Sequence, residues 1–306
     1  MKPSSSLVPT EIMDPALLDL DLRTNEQIIS TLLESQQRAI DAIRLASNQL
    51  EKAVLAATRR LSDADGRLVL VGAGASGRIA VQDGAELWPT FSWPSERLLC
   101  VMAGGDKALK SSIEGVEDDV SAATQQVAEY SINEQDVVVG VAASGRSPWT
   151  CQWLAASSQA GALCIGMANN ADTLLLNTAK LPVLLDTGPE VLAGSTRMAA
   201  GTAQKIALNV FSTMLMIRMN RTYGNLMVDM GAVNVKLEQR RIRLLQGVLP
   251  DLTSQQASHC LTLADGWVKL AALIAKGDSE ARGRERLEQH RGSLRSALEA
   301  VRSEDC

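Results

Sequence analysis

The stretch RLVLVGAGASGR, residues 67–78, decides the fold. A short apolar run of strand length enters a loop of small residues and a hydroxyl, and then a helical segment. The arrangement returns in DVVVGVAASGR, residues 136–146, so Ala75-Ser76-Gly77-Arg78 and Ala143-Ser144-Gly145-Arg146 repeat one tetrapeptide behind two apolar runs. A buried parallel strand that leads through such a loop into a helix presents backbone N–H groups, and the positive end of the helix dipole, to an anion. Two such loops in one sheet point to one phosphorylated ligand.

Outward from this pair, RLLCVMAGG (97–105), ALCIGMA (162–168) and KLPVLLDTG (180–188) are further continuously apolar runs, each separated from the next by a helix-length segment. The pattern indicates an α/β fold, a doubly wound five-stranded parallel sheet with its ligands at the carboxyl ends of the strands. Before the sheet, a Pro-containing arm leads to a capping box at Thr24 and Gln27. Ile28, Ile29, Leu32, Leu33, Ile40, Ile43, Leu50 and Val54 then recur at helical spacing. Beyond about Asn234 no strand-like run remains, and SQQASHCLTLA, WVKLAALIAKG and ARGRERLEQHRGSLRSALEAV read as short amphipathic helices. Three parts are therefore expected: an arm with helices over 1–59, a phosphosugar-binding α/β domain over 60–223, and a small helical domain over 224–306.

With 306 residues, 46% of them apolar, the chain is long enough for a substantial core. A net charge of -5 argues against nucleic acid or an anionic membrane as partner, since either calls for a basic surface. The N-terminal MKPSSSLVPTEIMDP has no apolar region of signal-peptide length, and no run reaches the roughly 20 apolar residues of a membrane span, so a cytoplasmic protein is expected. Cys100, Cys151, Cys164, Cys260 and Cys306 show no CxxC spacing and read as ordinary thiols, without disulfide or zinc. His259 and His290 lie far in sequence from the glycine-rich loops, which argues against a Ser-His-Asp triad or a metal site and leaves carboxylates as the acid–base groups. No metal or other cofactor is called for.

The phosphate-ligand candidates are Ser76, Gly77 and Arg78 in the first loop and Ser144, Gly145, Arg146 and Ser147 in the second. For each serine the competing reading is that it caps its helix. Gly72, Gly74 and Gly77 also match G-x-G-x-x-G, and a dinucleotide site with Asp106 on the ribose is the rival to a phosphosugar. A third candidate is GPEVLAGSTRMAAGTAQKIALNV, residues 188–210, in which Ser195, Thr196 and Arg197 precede a long helical run with Glu190 and Arg197 flanking the turn. Its alternative is a helix N-terminus with a packed small-residue face.

In order and spacing, VGAGASGR, DGAELWPTF, AGGDKAL, EGVEDD, VGVAASGRSPW, GPEVLAGSTRMAAGTAQK and YGNLMVDM resemble the motifs of bacterial N-acetylmuramic acid 6-phosphate etherases. These are sugar isomerase (SIS) domain proteins related to the glucokinase regulatory protein. The resemblance starts near Thr10-Glu11, is strongest from Gly66 to Asn234 and fades in the C-terminal helices. It implies cleavage of the D-lactyl ether of N-acetylmuramic acid 6-phosphate to N-acetylglucosamine 6-phosphate and D-lactate, in cell-wall recycling and amino-sugar catabolism. It also implies a homodimer with sites at the subunit interface.

The family's two catalytic glutamates fall on Glu86, within DGAEL, and Glu117, within EGVED. Glu117 is assigned as base at C2 and Glu86 as acid to the lactyl oxygen, later activating water; Glu114 and Asp118 read as solvated carboxylates. A continuous helix from Ser76 would carry Glu86 roughly 15 Å away along its axis. Either the helix opens before Pro89, or Glu86 serves the site of a neighbouring subunit. Ala75, Leu87-Trp88, Ser147, Trp149 and Ala199 depart from the family pattern, where threonine, Cys-Pro, threonine, tyrosine and lysine are usual. Trp88 and Trp93 are candidates to pack on a sugar face, with core packing as the alternative. A non-catalytic phosphosugar regulator and a sugar-phosphate isomerase remain open as other uses of the scaffold.

Overall fold

Each of the five apolar runs is a strand. The computed structural model describes residues 8–62, 65–230 and 235–304; Asn234 and Cys306 lie outside them. The strands are β1 (Leu68–Gly72), β2 (Leu98–Met102), β3 (Val137–Val141), β4 (Leu163–Ala168) and β5 (Leu181–Leu184), all parallel in the order β2-β1-β3-β4-β5. β1, β3 and β4 are buried at every position, the burial that continuously apolar parallel strands require.

The capping box forms in both directions: Thr24 N–H donates to Gln27 Oε1 at 2.9 Å and Gln27 N–H to Thr24 Oγ1 at 3.3 Å. It starts α1 (Asn25–Leu45), which is followed after Ala46 by α2 (Ser47–Ser62). Leu50 and Val54 of α2 are buried, whereas Ile29 and Leu33 of α1 are exposed.

Crossover helices follow the strands: α3 (Gly74–Ala85) and α4 (Leu87–Phe91), then α5 (Gly105–Lys110) and α6 (Val120–Glu129), α7 (Pro148–Gln159), α8 (Leu174–Thr178) and α9 (Ala199–Arg218). α3 lies directly on β1 because Gly72 and Gly77 meet without side chains; a Cβ on Gly77 would stand 2.6 Å from Gly72 O. On the α7 side, Trp149, Trp153 and Leu154 fill a core with Val71, Val138 and Cys164, the two indoles 6.3 Å apart. At the amino ends of the central strands the buried Asp136 accepts from Arg67 Nη2 at 2.7 Å and Arg67 N–H at 2.9 Å.

The chain divides into two compact units: 1–84 with 96–212, which holds the sheet, and 85–95 with 213–306. The second unit contains α10 (Val235–Val248), α11 (Ser254–Leu263), α12 (Val268–Ile274), α13 (Glu280–Gln289) and α14 (Leu294–Glu304). α12 is not amphipathic as its sequence suggests, since Val268 to Leu273 are all buried and even Lys269 is enclosed. Lys269 Nζ reaches Asp229 Oδ2 at 2.6 Å and Asn220 O at 2.8 Å, so the aspartate of YGNLMVDM serves as an internal clamp. Burial pushes Asp229 up and Lys269 down, each opposed by the other's charge. Trp93 is fully buried in this unit with the Arg221 guanidinium 5.7 Å from its ring, whereas Trp88 is exposed. Among the described residues no helix is long and apolar enough to cross a membrane.

Candidate active site

The register Gly72↔Val141 brings the carboxyl ends of β1 and β3 level, with β2 on the far side of β1 and β4 on the far side of β3. Strand order reverses between β1 and β3, and open α/β sheets bind ligands at such a point. The two ASGR loops emerge on either side of it.

In the first loop α3 begins at Gly74, placing Ser76 in its first turn, buried, with no protein partner for its hydroxyl among the described residues. Gly77 serves the approach of helix to strand. The Arg78 guanidinium points elsewhere: it donates to Ala108 O at 3.0 Å, Leu109 O at 3.2 Å and Ser111 O at 3.1 Å. It thereby anchors the end of α5 and the start of the segment that carries Glu117. β2 ends at Met102, and Asp106 sits beyond Gly104 and Gly105 in the first turn of α5.

The second loop is held more tightly. Gly145 has φ +64, and a Cβ there would stand 2.3 Å from Thr173 Oγ1. Its carbonyl accepts from Leu175 N–H at 3.0 Å, and Asn170 Nδ2 donates to Ala143 O at 2.9 Å. Ser144 Oγ accepts from Arg146 N–H at 3.2 Å within the loop. Ser147 is the N-cap residue of α7 but makes no side-chain capping bond; its hydroxyl oxygen instead accepts from Thr150 Oγ1 at 3.2 Å. Arg146 is exposed, with no side-chain partner among the described residues.

At the third segment the backbone N–H groups that open the helix are already in use. Glu190, 1% exposed, accepts from Ala199 N–H at 3.0 Å and Ala200 N–H at 2.8 Å, so the N-terminus of α9 is satisfied from within the chain. Ser195 and Thr196 are half-buried and Arg197 is exposed, their side chains without protein partners among the described residues. Ala199 is fully buried. A cavity of about 440 Å³ lies beside this segment, lined mostly by apolar side chains of the arm and of 190–193, and does not include the ASGR loops.

Glu86 stands between α3 and α4 and Glu117 in the short turn Val116–Asp118; both are exposed and neither carboxylate has a protein partner among the described residues. Glu114 and Asp118 are exposed too. α3 is unbroken from Gly74 to Ala85 and the helix is interrupted at Glu86, so it does open before Pro89, but only after the full run from Ser76 to Ala85. Cys151 and Cys164 are buried and Cys100 half-buried. Burial raises Cys151 to about 11 and Cys164 to about 12, and burial together with the Asp83 charge raises Cys100 to about 11.

Sequence reasoning did not find the arm's tie to this end of the sheet. Thr10, fully buried, exchanges hydrogen bonds with Asn170, and its carbonyl accepts from Gly194 N–H at 3.0 Å. A lone Thr-Glu pair carries no periodicity and no motif, and the only signal was that the resemblance starts there.

Residues 49–158 match the glucokinase regulatory protein N-terminal SIS domain family. An N-acetylmuramic acid 6-phosphate etherase of Deinococcus radiodurans is 44% identical over 94% of this chain and 94% of its own. Enzymes of the same name from Pseudothermotoga lettingae and Salmonella agona are 38% and 37% identical, over 98% and 95% of this chain and 100% and 97% of theirs. This chain belongs to the N-acetylmuramic acid 6-phosphate etherase family.

Proposed function

We infer that this protein is a lyase that cleaves the D-lactyl ether of N-acetylmuramic acid 6-phosphate, giving N-acetylglucosamine 6-phosphate and D-lactate in peptidoglycan recycling. The observation that carries the reading is the pair of ASGR loops flanking the β1/β3 switch point, with hydroxyls and helix N-termini that no carboxylate among the described residues occupies. The 6-phosphate sits there on Ser76, Ser144 and Ser147 and on the N–H groups beside them, with Arg146 as the cation. Ser195, Thr196 and Arg197 approach the anionic groups of the sugar from the third segment. Arg78 acts by holding the Glu117 segment.

An ether is a poor leaving group until the neighbouring carbon can lose a proton. In the open-chain sugar the C2 proton lies next to the aldehyde, and Glu117 removes it. The electron pair forms the C2–C3 double bond as the C3–O bond breaks, and Glu86 protonates the departing lactyl oxygen. Glu86, now a carboxylate, then takes a proton from water, which adds at C3, and Glu117, its proton exchanged with solvent, protonates C2. No metal is needed, because the aldehyde supplies the electron sink.

The unbroken run of α3 from Ser76 to Ala85, a rise of roughly 14 Å before the chain turns at Glu86, supports the view that Glu86 serves the site of a neighbouring subunit. The exposed apolar side chains of Met13, Leu18 and Leu22 in the arm and of Ile29 and Leu33 on α1 support a homodimer. The enzyme works in the cytoplasm on a sugar phosphate.

A proton NMR time course with N-acetylmuramic acid 6-phosphate in deuterated water tests the reading. Lactate release with deuterium at C2 is expected; bound but unchanged substrate would make the protein a sensor, and C1–C2 exchange without lactate an isomerase. Glu86→Gln and Glu117→Gln are each expected to lower kcat about 10²- to 10⁴-fold while sugar-phosphate binding persists.

A further inference from the structure

We propose that Glu11 is a substrate-binding residue of this site, its carboxylate accepting a hydrogen bond from a hydroxyl or amide N–H of the sugar. The proposal rests on the reading that the paired ASGR loops hold a sugar phosphate.

The argument starts from how the arm is fixed. Thr10 N–H donates to Asn170 Oδ1 at 3.3 Å, and Asn170 Nδ2 donates back to Thr10 Oγ1 at 3.0 Å. Gly194 N–H donates to Thr10 O at 3.0 Å. The same Asn170 amide holds Ala143 O at 2.9 Å, one residue before Ser144. A single buried threonine thus ties the arm to the root of the second phosphate loop and to the residue preceding Ser195. A solvated surface glutamate needs no such clamp across the chain.

The clamp sets where Glu11 goes. Gly194 has φ +78, and a Cβ on it would stand 2.7 Å from Glu11 Oε2, so the carboxylate lies directly over the Gly194 backbone. Glu11 is exposed there, and its carboxylate makes no hydrogen bond or ion pair among the described residues. It is an oriented acceptor at the rim of the site with nothing yet to accept from. An ionised carboxylate only accepts hydrogen bonds and is repelled by phosphate, so its partner on an anionic sugar is a neutral donor, a hydroxyl or the amide N–H.

The test compares wild type, Glu11→Gln, Glu11→Ala and Thr10→Val in the full chain. It measures kcat and KM for lactate release, and Ki for inorganic phosphate as competitive inhibitor. Glu11→Ala is expected to raise KM about 10- to 100-fold, and Glu11→Gln less, because its carbonyl still accepts. Phosphate Ki should stay unchanged or fall, since a negative charge has gone. Thr10→Val, which removes the Oγ1 bond to Asn170 and so loosens the arm while its two backbone bonds remain, should raise both constants. An unchanged KM in Glu11→Ala would overturn the proposal, and so would KM and phosphate Ki rising in parallel, which would make Glu11 only a tether of the arm. If wild type releases no lactate, the lyase reading fails by itself. The proposal then stands or falls on whether Glu11→Ala weakens binding of N-acetylglucosamine 6-phosphate, followed by calorimetry, by the same factor.

Discussion

Removing the Glu190 carboxylate is expected to unlock the N-terminus of α9 and to make it bind anions that the wild type ignores. Glu190 is 1% exposed and uses both oxygens, Oε2 on Ala199 N–H and Oε1 on Ala200 N–H. Glu190→Ala leaves two buried donors unsatisfied, at about 1–3 kcal/mol each, and deletes a favourable charge at the positive end of a helix; a loss of about 3–5 kcal/mol follows. Glu190→Gln keeps one acceptor but turns an amide N–H toward the second backbone N–H, so the expected loss is smaller, about 1–3 kcal/mol. Urea denaturation gives the free energies. A thermal melt with and without inorganic phosphate gives the second readout: phosphate should raise the Tm of Glu190→Ala by more than that of wild type, because the vacated N-terminus is an anion site. If both variants stay within about 0.5 kcal/mol of wild type, the two hydrogen bonds do not hold the helix, and the capping argument is wrong.

If Glu86 acts in trans and Glu117 in cis, mixing the inactive Glu86→Gln and Glu117→Gln proteins under subunit exchange should restore about a quarter of wild-type activity, and no recovery would place both carboxylates in one subunit's site. Gly145→Ala, whose Cβ would stand 2.3 Å from Thr173 Oγ1 at φ +64, should destabilise the protein by at least about 1–3 kcal/mol and raise KM, read by urea denaturation and lactate assay. For Asp136, burial alone would raise the pKa, but Arg67 and the N–H groups of Arg67 and Asn133 outweigh it and hold the group below its ordinary value. Its stabilisation is therefore present above the ordinary carboxylate pKa and lost as pH falls through the lowered one, and Asp136→Asn should show a weaker dependence of urea midpoint on acid. Cys100 and Cys151, raised to about 11, and Cys164, raised to about 12, favour the protonated form in the fold. Stability should decline as pH climbs above about 8.5, where an unfolded thiol ionises, and a disulfide reagent should modify these thiols at pH 8 only after denaturation.

The sheet was legible because buried parallel strands leave an unambiguous trace: LVLVG and VVVGV carry no polar side chain at any position. The capping box at Thr24 was legible for the opposite reason, being wholly local. α12 was misread because a helix buried on every face has no polar stripe to reveal its period, and the buried Lys269 imitates one. The enclosure of that lysine depends on Asp229 and Asn220, which lie far from it in sequence.

The same distinction separates the site's readable half from its hidden half. A helix that needs an anion at its N-terminus looks alike in sequence whether the anion is a ligand or a side chain, since hydroxyls, glycine and small residues precede both. At α9 the chain supplies its own anion in Glu190, reaching Ala199 and Ala200 from nine and ten residues upstream, a span too long for a local capping rule to register. At α7 the N-cap Ser147 turns its hydroxyl to Thr150 and caps nothing, and in the first turn of α3 the Ser76 hydroxyl has no protein partner among the described residues. Two N-termini that flank the switch point are left unsatisfied among the described residues, while a third is satisfied internally. That division marks the two helix ends beside β1 and β3 as the ones still open to an anion more sharply than glycine content does, because an unsatisfied helix end stable in water is one that water, or an anion in its place, can reach.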